Sequence, residues 1–223
     1  HLSSSDAGGA ANAAVRLHRG LLGLGVHSTL LTINKITHGI PNHESLTTSI
    51  VPRTIFQKVV SKWRMRRFFG RYSKRLTGRI PGQERFTFHQ SPYSVHQHPF
   101  VLEADIINLH WVSDFVDVPT FFRLVRKPIV WTLHDMNAFT GGCHYAGSCR
   151  QFEQTCACCP QLEGTPQPGY SATVLAAKGV AYANIQRVVS PSAWLLDLAR
   201  ASVLFRDISH VRIPNGFPAD VFT

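Results

Sequence analysis

The stretch KPIVWTLHD, Lys127–Asp135, has the pattern from which the fold of this chain can be predicted. The run that follows Pro128 is short, apolar and rich in β-branched and aromatic residues, which predicts a buried strand ending at His134. Similar runs occur upstream in EADIINLHW, whose strand ends at His110, and downstream in QRVVSPS and HVRIPNG. Near-continuous apolar strands of this kind are typical of parallel sheets.

Helical segments alternate with these strands. A glycine turn, Gly8 and Gly9, precedes the first helix, whose apolar residues recur at near-helical spacing and include Leu17 and Leu24. A strand, VHSTLLTI, follows at residues 26–33. The predicted helices cover residues 10–25, 55–72, 115–125, 171–184 and 193–202. This alternation predicts one α/β domain over residues 1–223, built on a Rossmann-like, doubly wound parallel sheet.

Charge is concentrated in one segment. The chain has a net charge of +10, and eleven of its 23 Lys and Arg residues lie between Arg53 and Arg85, opposed there by Glu84 alone. The helix that begins near Ile55 carries these cations around Val59, Trp63 and Phe69, which is typical of a membrane-surface helix attracted to anionic lipid. Nucleic acid is a competing partner, and a solvated basic face on a packed helix is the third alternative.

Targeting signals are not evident. The first residues, HLSSSDAGG, carry neither the basic nor the apolar region of a secretory signal. The sequence also contains no apolar run of the ~20 residues needed to cross a bilayer. We therefore expect a cytoplasmic protein.

Polar, small or aromatic residues follow several predicted strands. Because ligands bind outside the carboxyl ends of strands in open parallel sheets, these positions predict one substrate cleft. His134 and Asp135 are the candidate catalytic pair, since a strand end exposes the imidazole and a carboxylate can orient it. The candidate substrate-binding residues are Gly8, Gly9, His110, Trp111, Ser190, Ser192, Asn215 and Gly216. The two glycines open a helix whose free N–H groups favour an anion, although a purely steric turn is equally compatible with them.

All five cysteines lie in one loop. Cys143, Cys149, Cys156 and Cys159 form a C-x5-C-x6-C-x2-C pattern that fits tetrahedral zinc, and four protein ligands would make such a site structural. Free or redox-active thiols and a disulfide remain alternatives. Either His144 or Cys158 could replace one ligand.

Several motifs together carry a family resemblance. GGAANAAVRLHRGLLGLGVHSTLL, ADIINLHWV, PIVWTLHDMNAFTGGCHYAGSC, CPQL, VVSPSAWLLDLARAS and IPNGFPADVF occur in this order. The set resembles the N-terminal domain of GT-B glycosyltransferases of family 4, in the subgroup of colanic-acid and other exopolysaccharide transferases. The match covers nearly the whole chain and is weakest between about Thr37 and Val101.

The resemblance implies a retaining transfer of a sugar from a nucleotide-sugar donor to a saccharide or lipid-linked acceptor, without a catalytic cofactor. It implies that Gly8 and Gly9 lie beside the donor diphosphate and that His134 positions the donor sugar and stabilises the transition state. It also implies cysteines at the four outer positions, with Cys158 as a local addition.

The same resemblance implies a C-terminal nucleotide-sugar-binding domain that this chain does not contain, so that the isolated chain should turn over little. A lipid-linked acceptor favours peripheral attachment to the inner membrane face through residues 55–79, and no nucleic acid is expected. The alternative function is a non-catalytic, zinc-stabilised basic module that binds a membrane surface or nucleic acid.

Overall fold

The computed structural model of the chain describes residues 1–46 and 55–217, with the side chains at positions 55–58, 61 and 64 outside the description. The predicted apolar contribution of Ile55, the charges of Arg53, Lys58 and Arg64, and the end of the IPNGFPADVF motif therefore lie outside the described residues. The strands are β1 (Leu30–Thr32), β2 (His43–Ser45), β3 (Ile107–Leu109), β4 (Ile129–Thr132), β5 (Ile185–Ser190) and β6 (His210–Arg212). The helices are α1 (Gly9–Gly23), α2 (Ile55–Leu76), α3 (Pro99–Glu103), α4 (Val118–Leu124), α5 (Tyr170–Ala181) and α6 (Ala193–Ala201).

All described strand pairs are parallel, as predicted. They form a two-stranded group, β1-β2, and a four-stranded group, β3-β4-β5-β6. Leu2 joins the groups through parallel bridges to Leu31 and to Leu109. Its N–H donates to the carbonyl of Asn108 at 2.9 Å, and its carbonyl accepts from His110 at 2.9 Å. With the first residues placed between β1 and β3, the strand order is compatible with a Rossmann-like fold.

Local sequence explains where the helices begin. Gly8 precedes α1 at φ 98°, a left-handed backbone that favours glycine. The carboxylate of Asp117 accepts from the N–H of Thr120 at 3.2 Å, and Pro119 stands in the first turn of α4, as predicted. The hydroxyl of Ser192 accepts from Leu195 N–H at the start of α6. Short polar side chains at these positions satisfy N–H groups that lack a partner within the helix.

The core lies between the four-stranded group and the segments that cover it. Trp131 of β4 packs against Phe122 of α4, Tyr182 and Phe205, with ring centroids 5.3 to 6.1 Å apart. Phe139 extends this aromatic cluster from the loop that follows β4. The loop is therefore anchored in the same core as the sheet that carries His134.

Several boundaries differ from the sequence predictions. The strand predicted at residues 26–33 is confined to Leu30–Thr32, and the basic helix continues to Leu76. β2 and α3 were not predicted. The predicted apolar face of α1 is partly wrong, because Leu17 and Leu24 are exposed.

His18 explains part of that difference, since it fills the buried face of α1 in place of a leucine. Its ring nitrogens contact the hydroxyl of Ser28 at 2.7 Å and the carbonyl of Pro41 at 2.8 Å. None of the helices within residues 1–46 and 55–217 has the length and apolar character needed to cross a bilayer.

Candidate functional site

A cleft of about 520 Å³ opens at the carboxyl edge of the sheet. Five residues predicted from the sequence line it together, namely Gly9, Trp111, His134, Asp135 and Asn215. Its other lining residues are Ala10, Asn12, Ala13, Arg16, Tyr145, Pro191 and Phe217. A larger cavity, of about 870 Å³, lies near the amino ends of β1 and β3. We place the candidate site in the smaller cleft because ligands of open parallel sheets bind at the carboxyl edge.

The first wall of the cleft is the start of α1. A Cβ added at Gly9 would meet nothing within 4 Å, so there is open space beside the first residue of α1. Arg16 follows two turns later on the same helix. Its guanidinium donates to the carbonyl of Gly216 at 3.3 Å and lies 4.4 Å from the centroid of the Phe217 ring. A helix N-terminus and a guanidinium on one wall can together hold an anion such as phosphate.

The second wall carries His134, which is backed by a row of imidazoles. Its Nε2 lies 3.0 Å from Nδ1 of His110, and the two rings are stacked at 5.3 Å. His110 is 3% exposed and contacts His1 in turn, with 3.2 Å between ring nitrogens. Burial lowers the pKa of His134 to about 4, against the opposite effect of the Asp135 charge. His134 is therefore a neutral imidazole at neutral pH, able to donate or accept one hydrogen bond.

Asp135 anchors three neighbouring groups. Its Oδ2 accepts from the indole N–H of Trp111 at 2.6 Å and lies 2.6 Å from Nδ1 of His144. Its Oδ1 accepts from the N–H of Asn137 at 2.8 Å. Burial acts to raise the pKa of Asp135, but the hydrogen bond and charge of His144, with the N–H groups of Asn137 and Trp111, hold that pKa below its usual value. Asp135 is thus an ionised carboxylate that orients the indole at the cleft.

The remaining predicted substrate-binding residues have other positions. His110 lies behind His134 rather than at the cleft surface. Ser190 is fully buried at the end of β5, and the Ser192 hydroxyl caps α6. Gly8 provides the left-handed turn before α1, and Gly216 accepts the hydrogen bond from Arg16. These residues shape the cleft or support it from behind.

Sequence reasoning missed Arg16, Tyr145 and the role of His144. Arg16 lies seven residues after Gly9, which places it on the same helix face, and this spacing was a signal that could have been used. Tyr145 stacks on Trp194 with centroids 6.3 Å apart. His144 bridges Asp135 and Thr87, with Nε2 2.9 Å from the threonine hydroxyl, and no periodicity in the sequence indicates that contact.

The cysteine loop stands beside the cleft. Cys143, Cys149, Cys156 and Cys159 all line one cavity of about 10 Å³, together with Gly141 and Ser171. Cys158 is exposed, and all five cysteines are free thiols. Burial raises the pKa of Cys143 to about 12 and that of Cys156 to about 11. In the absence of a cation these two thiols are protonated and are poor nucleophiles.

The basic segment forms α2, whose described side chains are largely exposed. Trp63 is 58% exposed, and Val59 and Phe69 are exposed as well. Arg67, 5.1 Å from the centroid of the Trp63 ring, lines a groove of about 550 Å³ with Arg71 and Arg75. Exposed aromatic and basic side chains therefore occur together on this helix.

Searches with the chain against protein-family models, curated proteins and solved structures find no match in any of the three. The fold and the cleft define the molecule as an α/β protein with a parallel sheet and a polar cleft at the carboxyl edge. Its function has to be argued from the groups in that cleft.

Proposed function

We propose that this chain is the acceptor-side, N-terminal part of a retaining GT-B glycosyltransferase that transfers a sugar from a nucleotide-sugar donor during polysaccharide biosynthesis. The observation that carries the proposal is the convergence on one cleft of an open helix N-terminus, the Arg16 guanidinium and the neutral His134 imidazole. The helix N-terminus and the Arg16 guanidinium can bind a diphosphate, and the His134 imidazole can hydrogen-bond a sugar hydroxyl.

The proposed roles follow from the positions of these groups. The N–H groups at Gly9 and the charge of Arg16 face the donor diphosphate, where they stabilise the negative charge that develops on the leaving group. His134 hydrogen-bonds the donor sugar and holds its anomeric carbon toward the acceptor. The half-buried ring of Trp111 and the exposed ring of Tyr145 offer apolar surface to a sugar face. Asp135 acts through Trp111 as a positioning residue.

The proton does not require a strong base in the cleft. In a front-face transfer the acceptor oxygen forms the new bond to the anomeric carbon as the bond to the diphosphate oxygen breaks. The acceptor proton passes to that leaving oxygen. His134, with a pKa near 4, is a weak base and serves as a hydrogen-bonding group in this scheme.

The test is transfer by the whole gene product that contains this chain, assayed with a panel of nucleotide sugars and saccharide or lipid-linked acceptors. We expect His134→Ala to lower kcat by about 10² to 10³, as for the loss of one preorganised electrostatic group. His27→Ala is the matched control, because His27 is exposed and lies outside the cleft. Hydrolysis or transfer that is unchanged in His134→Ala would rule out the assigned role.

Membrane attachment is the second part of the proposal. The exposed Trp63 and Val59 with the cations of α2 favour binding to an anionic lipid surface at the inner face of the membrane, where a lipid-linked acceptor would be presented. The same observation supports the alternative function, a non-catalytic basic module on a membrane. Transfer activity that depends on His134 separates the two functions.

Vesicle binding tests this attachment. We expect the triple variant Lys62→Gln, Arg66→Gln and Arg67→Gln to weaken binding to phosphatidylserine vesicles about 100-fold, at about 1 kcal/mol per cation near the surface. The control triple, Arg123→Gln, Arg126→Gln and Lys127→Gln, removes as many charges elsewhere and should bind nearly as tightly as the original chain. Equal losses of vesicle binding in both triple variants would mean that the net charge of the chain, and not the position of the α2 cations, determines the affinity. Equal binding to neutral vesicles would contradict the electrostatic attraction.

A further inference from the structure

We propose that Cys143, Cys149, Cys156 and Cys159 bind one Zn²⁺ that fixes the loop over the carboxyl edge of the sheet. This inference is independent of the proposed transferase activity. The thiols come from four separated positions of the loop, yet they line one cavity of about 10 Å³. Such a volume is too small for most ligands but is large enough for a single ion.

The backbone around the thiols is held in place. Phe86 and Cys143 form an antiparallel bridge, and the carbonyl of Cys143 accepts from the Thr140 hydroxyl at 2.7 Å. Cys156 has a left-handed backbone, φ 51°, whose carbonyl accepts from the Ser171 hydroxyl at 2.6 Å. Two cysteine backbones are therefore fixed by contacts distant in sequence, which lowers the entropic cost of assembling ligands.

Glycine keeps the site compact. A Cβ at Gly141 would lie 2.9 Å from Cβ of Cys156 and 2.5 Å from the carbonyl oxygen of Ser171. The loop and the start of α5 therefore approach more closely than a side chain at position 141 would allow.

Hydrogen bonds within the loop fix the backbone on either side of the thiols. The N–H of Leu162 donates to the carbonyl of Cys159 at 3.0 Å, and the N–H of Cys156 donates to the carbonyl of Gln151 at 2.9 Å. The side chain of Gln161, two residues after Cys159, donates to the carbonyl of Tyr145 at 2.6 Å. The four cysteines are therefore carried on a loop whose own hydrogen bonds limit its movement.

Two cations complement the charge that a loaded site would carry. One Zn²⁺ bound by four thiolates has two net negative charges. The Lys178 ammonium is 2% exposed, interacts electrostatically with Cys143 and Cys156, and is held by the carbonyl of Thr140 at 3.0 Å. The guanidinium of Arg79 donates to the carbonyl of Gln161, two residues after Cys159, at 2.9 Å. The Lys178 ammonium donates to the carbonyls of Asn137 and Thr140, and beside a zinc thiolate it would also balance charge.

Loading requires small movements of the side chains. Among the described residues, no group of three or more His, Cys, Asp or Glu side chains already stands in metal-binding geometry. Rotation about χ1 at Cys149 and Cys159, which are only partly buried, turns their sulfur atoms toward the cavity. Four thiols release four protons to solvent as the ion binds at about 2.3 Å from each sulfur, and no position stays open for chemistry.

Metal analysis of the purified protein is the first experiment. We expect about one equivalent of zinc per chain, and replacement by Co²⁺ should give the visible absorption and sulfur-to-metal charge-transfer bands of a tetrahedral thiolate site. Cys156→Ser should lower the zinc content by about tenfold or more. Cys158→Ser is the matched control, because Cys158 belongs to the same loop but is exposed, and it should keep the full equivalent.

The cobalt spectrum keeps the inference falsifiable even if Cys156→Ser fails to fold, since it is recorded on the unaltered chain. A cobalt spectrum without charge-transfer bands, or full zinc content in Cys156→Ser, would overturn the proposal. A disulfide among the four cysteines, detected by mass spectrometry of alkylated but unreduced protein, would also overturn it. Loss of zinc in Cys158→Ser but not in Cys156→Ser would mean that Cys158 is a ligand, which contradicts the proposed set of four.

Discussion

Asp135 lines the cleft and also sets its geometry, because it holds three neighbouring groups in place. It accepts from the Trp111 indole, from the Asn137 N–H and from His144, each within 2.8 Å. Hydrogen bonds to a charged acceptor contribute more than neutral ones, and a buried donor left without a partner costs its full desolvation energy. The orientation of Trp111 therefore depends on the charge of this carboxylate.

We expect Asp135→Asn to lower the free energy of unfolding by about 2–3 kcal/mol, because an amide cannot accept all three hydrogen bonds. Urea denaturation measures the change. Asp105→Asn is the control, since Asp105 is exposed and its replacement should cost less than about 0.5 kcal/mol. Equal stabilities of the two variants would show that the Asp135 network is not important for folding.

The buried imidazoles predict a dependence of stability on pH. Burial lowers the pKa of His134 to about 4, and burial with the neighbouring imidazole lowers the pKa of His110 well below its usual value. An unfolded histidine titrates near pH 6.5, so between about pH 6.5 and 4 the unfolded chain binds protons that the folded chain excludes. The free energy of unfolding therefore falls as the pH drops through this window.

Protonation of His134 alone should cost about 3–4 kcal/mol, at about 1.4 kcal/mol per pKa unit. Asp135 faces this imidazole from its own segment, His110 from the end of β3, and His1 stands behind His110. We expect His134→Gln to reduce the slope of stability against pH without abolishing it, because His110 keeps its burial. Urea denaturation across the window gives the slope, and an unchanged slope would mean that His134 has the same pKa in the folded and unfolded chains.

Part of the cleft could be predicted from the sequence, because a parallel sheet places the carboxyl ends of its strands on one edge. That rule brought Gly9, Trp111, His134, Asp135 and Asn215 to the same cleft. It did not show that Ser190 would be buried or that the Ser192 hydroxyl would cap a helix, because the direction of a side chain depends on packing. The partnership of His144 with Asp135 depends on the path of a loop, which no periodicity encodes.

At the scale of elements, alternation and apolar runs located five of the six described strands and most helices. β2 was missed because HES, His43–Ser45, contains two polar residues and one charged one, and it is a strand only through its pairing with β1. α3 is a single short helix whose start depends on Pro99 and on the capping contact of His98. Such elements are decided by tertiary contacts rather than by local preference.

The loop after β4 owes its path to close approaches at glycines. A Cβ at Gly142 would lie 2.4 Å from the Phe86 ring and 2.7 Å from the carbonyl oxygen of Thr87, and its φ is 130°. We expect Gly142→Ala to lower the free energy of unfolding by at least about 3 kcal/mol, since it combines strain with overlap against the core. Thermal or urea denaturation measures this loss.

Gly147→Ala is the matched control for that substitution. Gly147 also has a positive φ, 57°, but a Cβ there would meet nothing within 4 Å. Only backbone strain applies at this position, so we expect the free energy of unfolding to fall by about 1–2 kcal/mol. Similar losses at the two positions would mean that overlap with Phe86 is relieved by movement of the loop.

Across the whole molecule, the two strand groups of the sheet are joined through the backbone pairing of Leu2 with Leu31 and Leu109, which we call the seam. Leu2 is the described residue that bridges to both β1 and β3, so the first residues of the chain lie between the two strand groups. The cleft lies directly above this seam, because Gly9 follows it on one side and Trp111 on the other. Cohesion of the sheet and the geometry of the cleft are therefore linked through the first few residues.

The seam leads to a prediction about cooperativity. Leu2 is 3% exposed and sits between Leu31 and Leu109, so we expect Leu2→Ala to lower the free energy of unfolding by about 3 kcal/mol through lost burial and the cavity left behind. Because the backbone of Leu2 pairs with both strand groups, a loss of packing at this residue should accelerate amide hydrogen exchange in β1 and in β3 together. Leu102→Ala, at a 60% exposed leucine, should cost less than about 0.5 kcal/mol and leave exchange unchanged. Faster exchange confined to β1 and β2 would instead mean that the two groups fold as separate units, with the cleft assembled only after they dock.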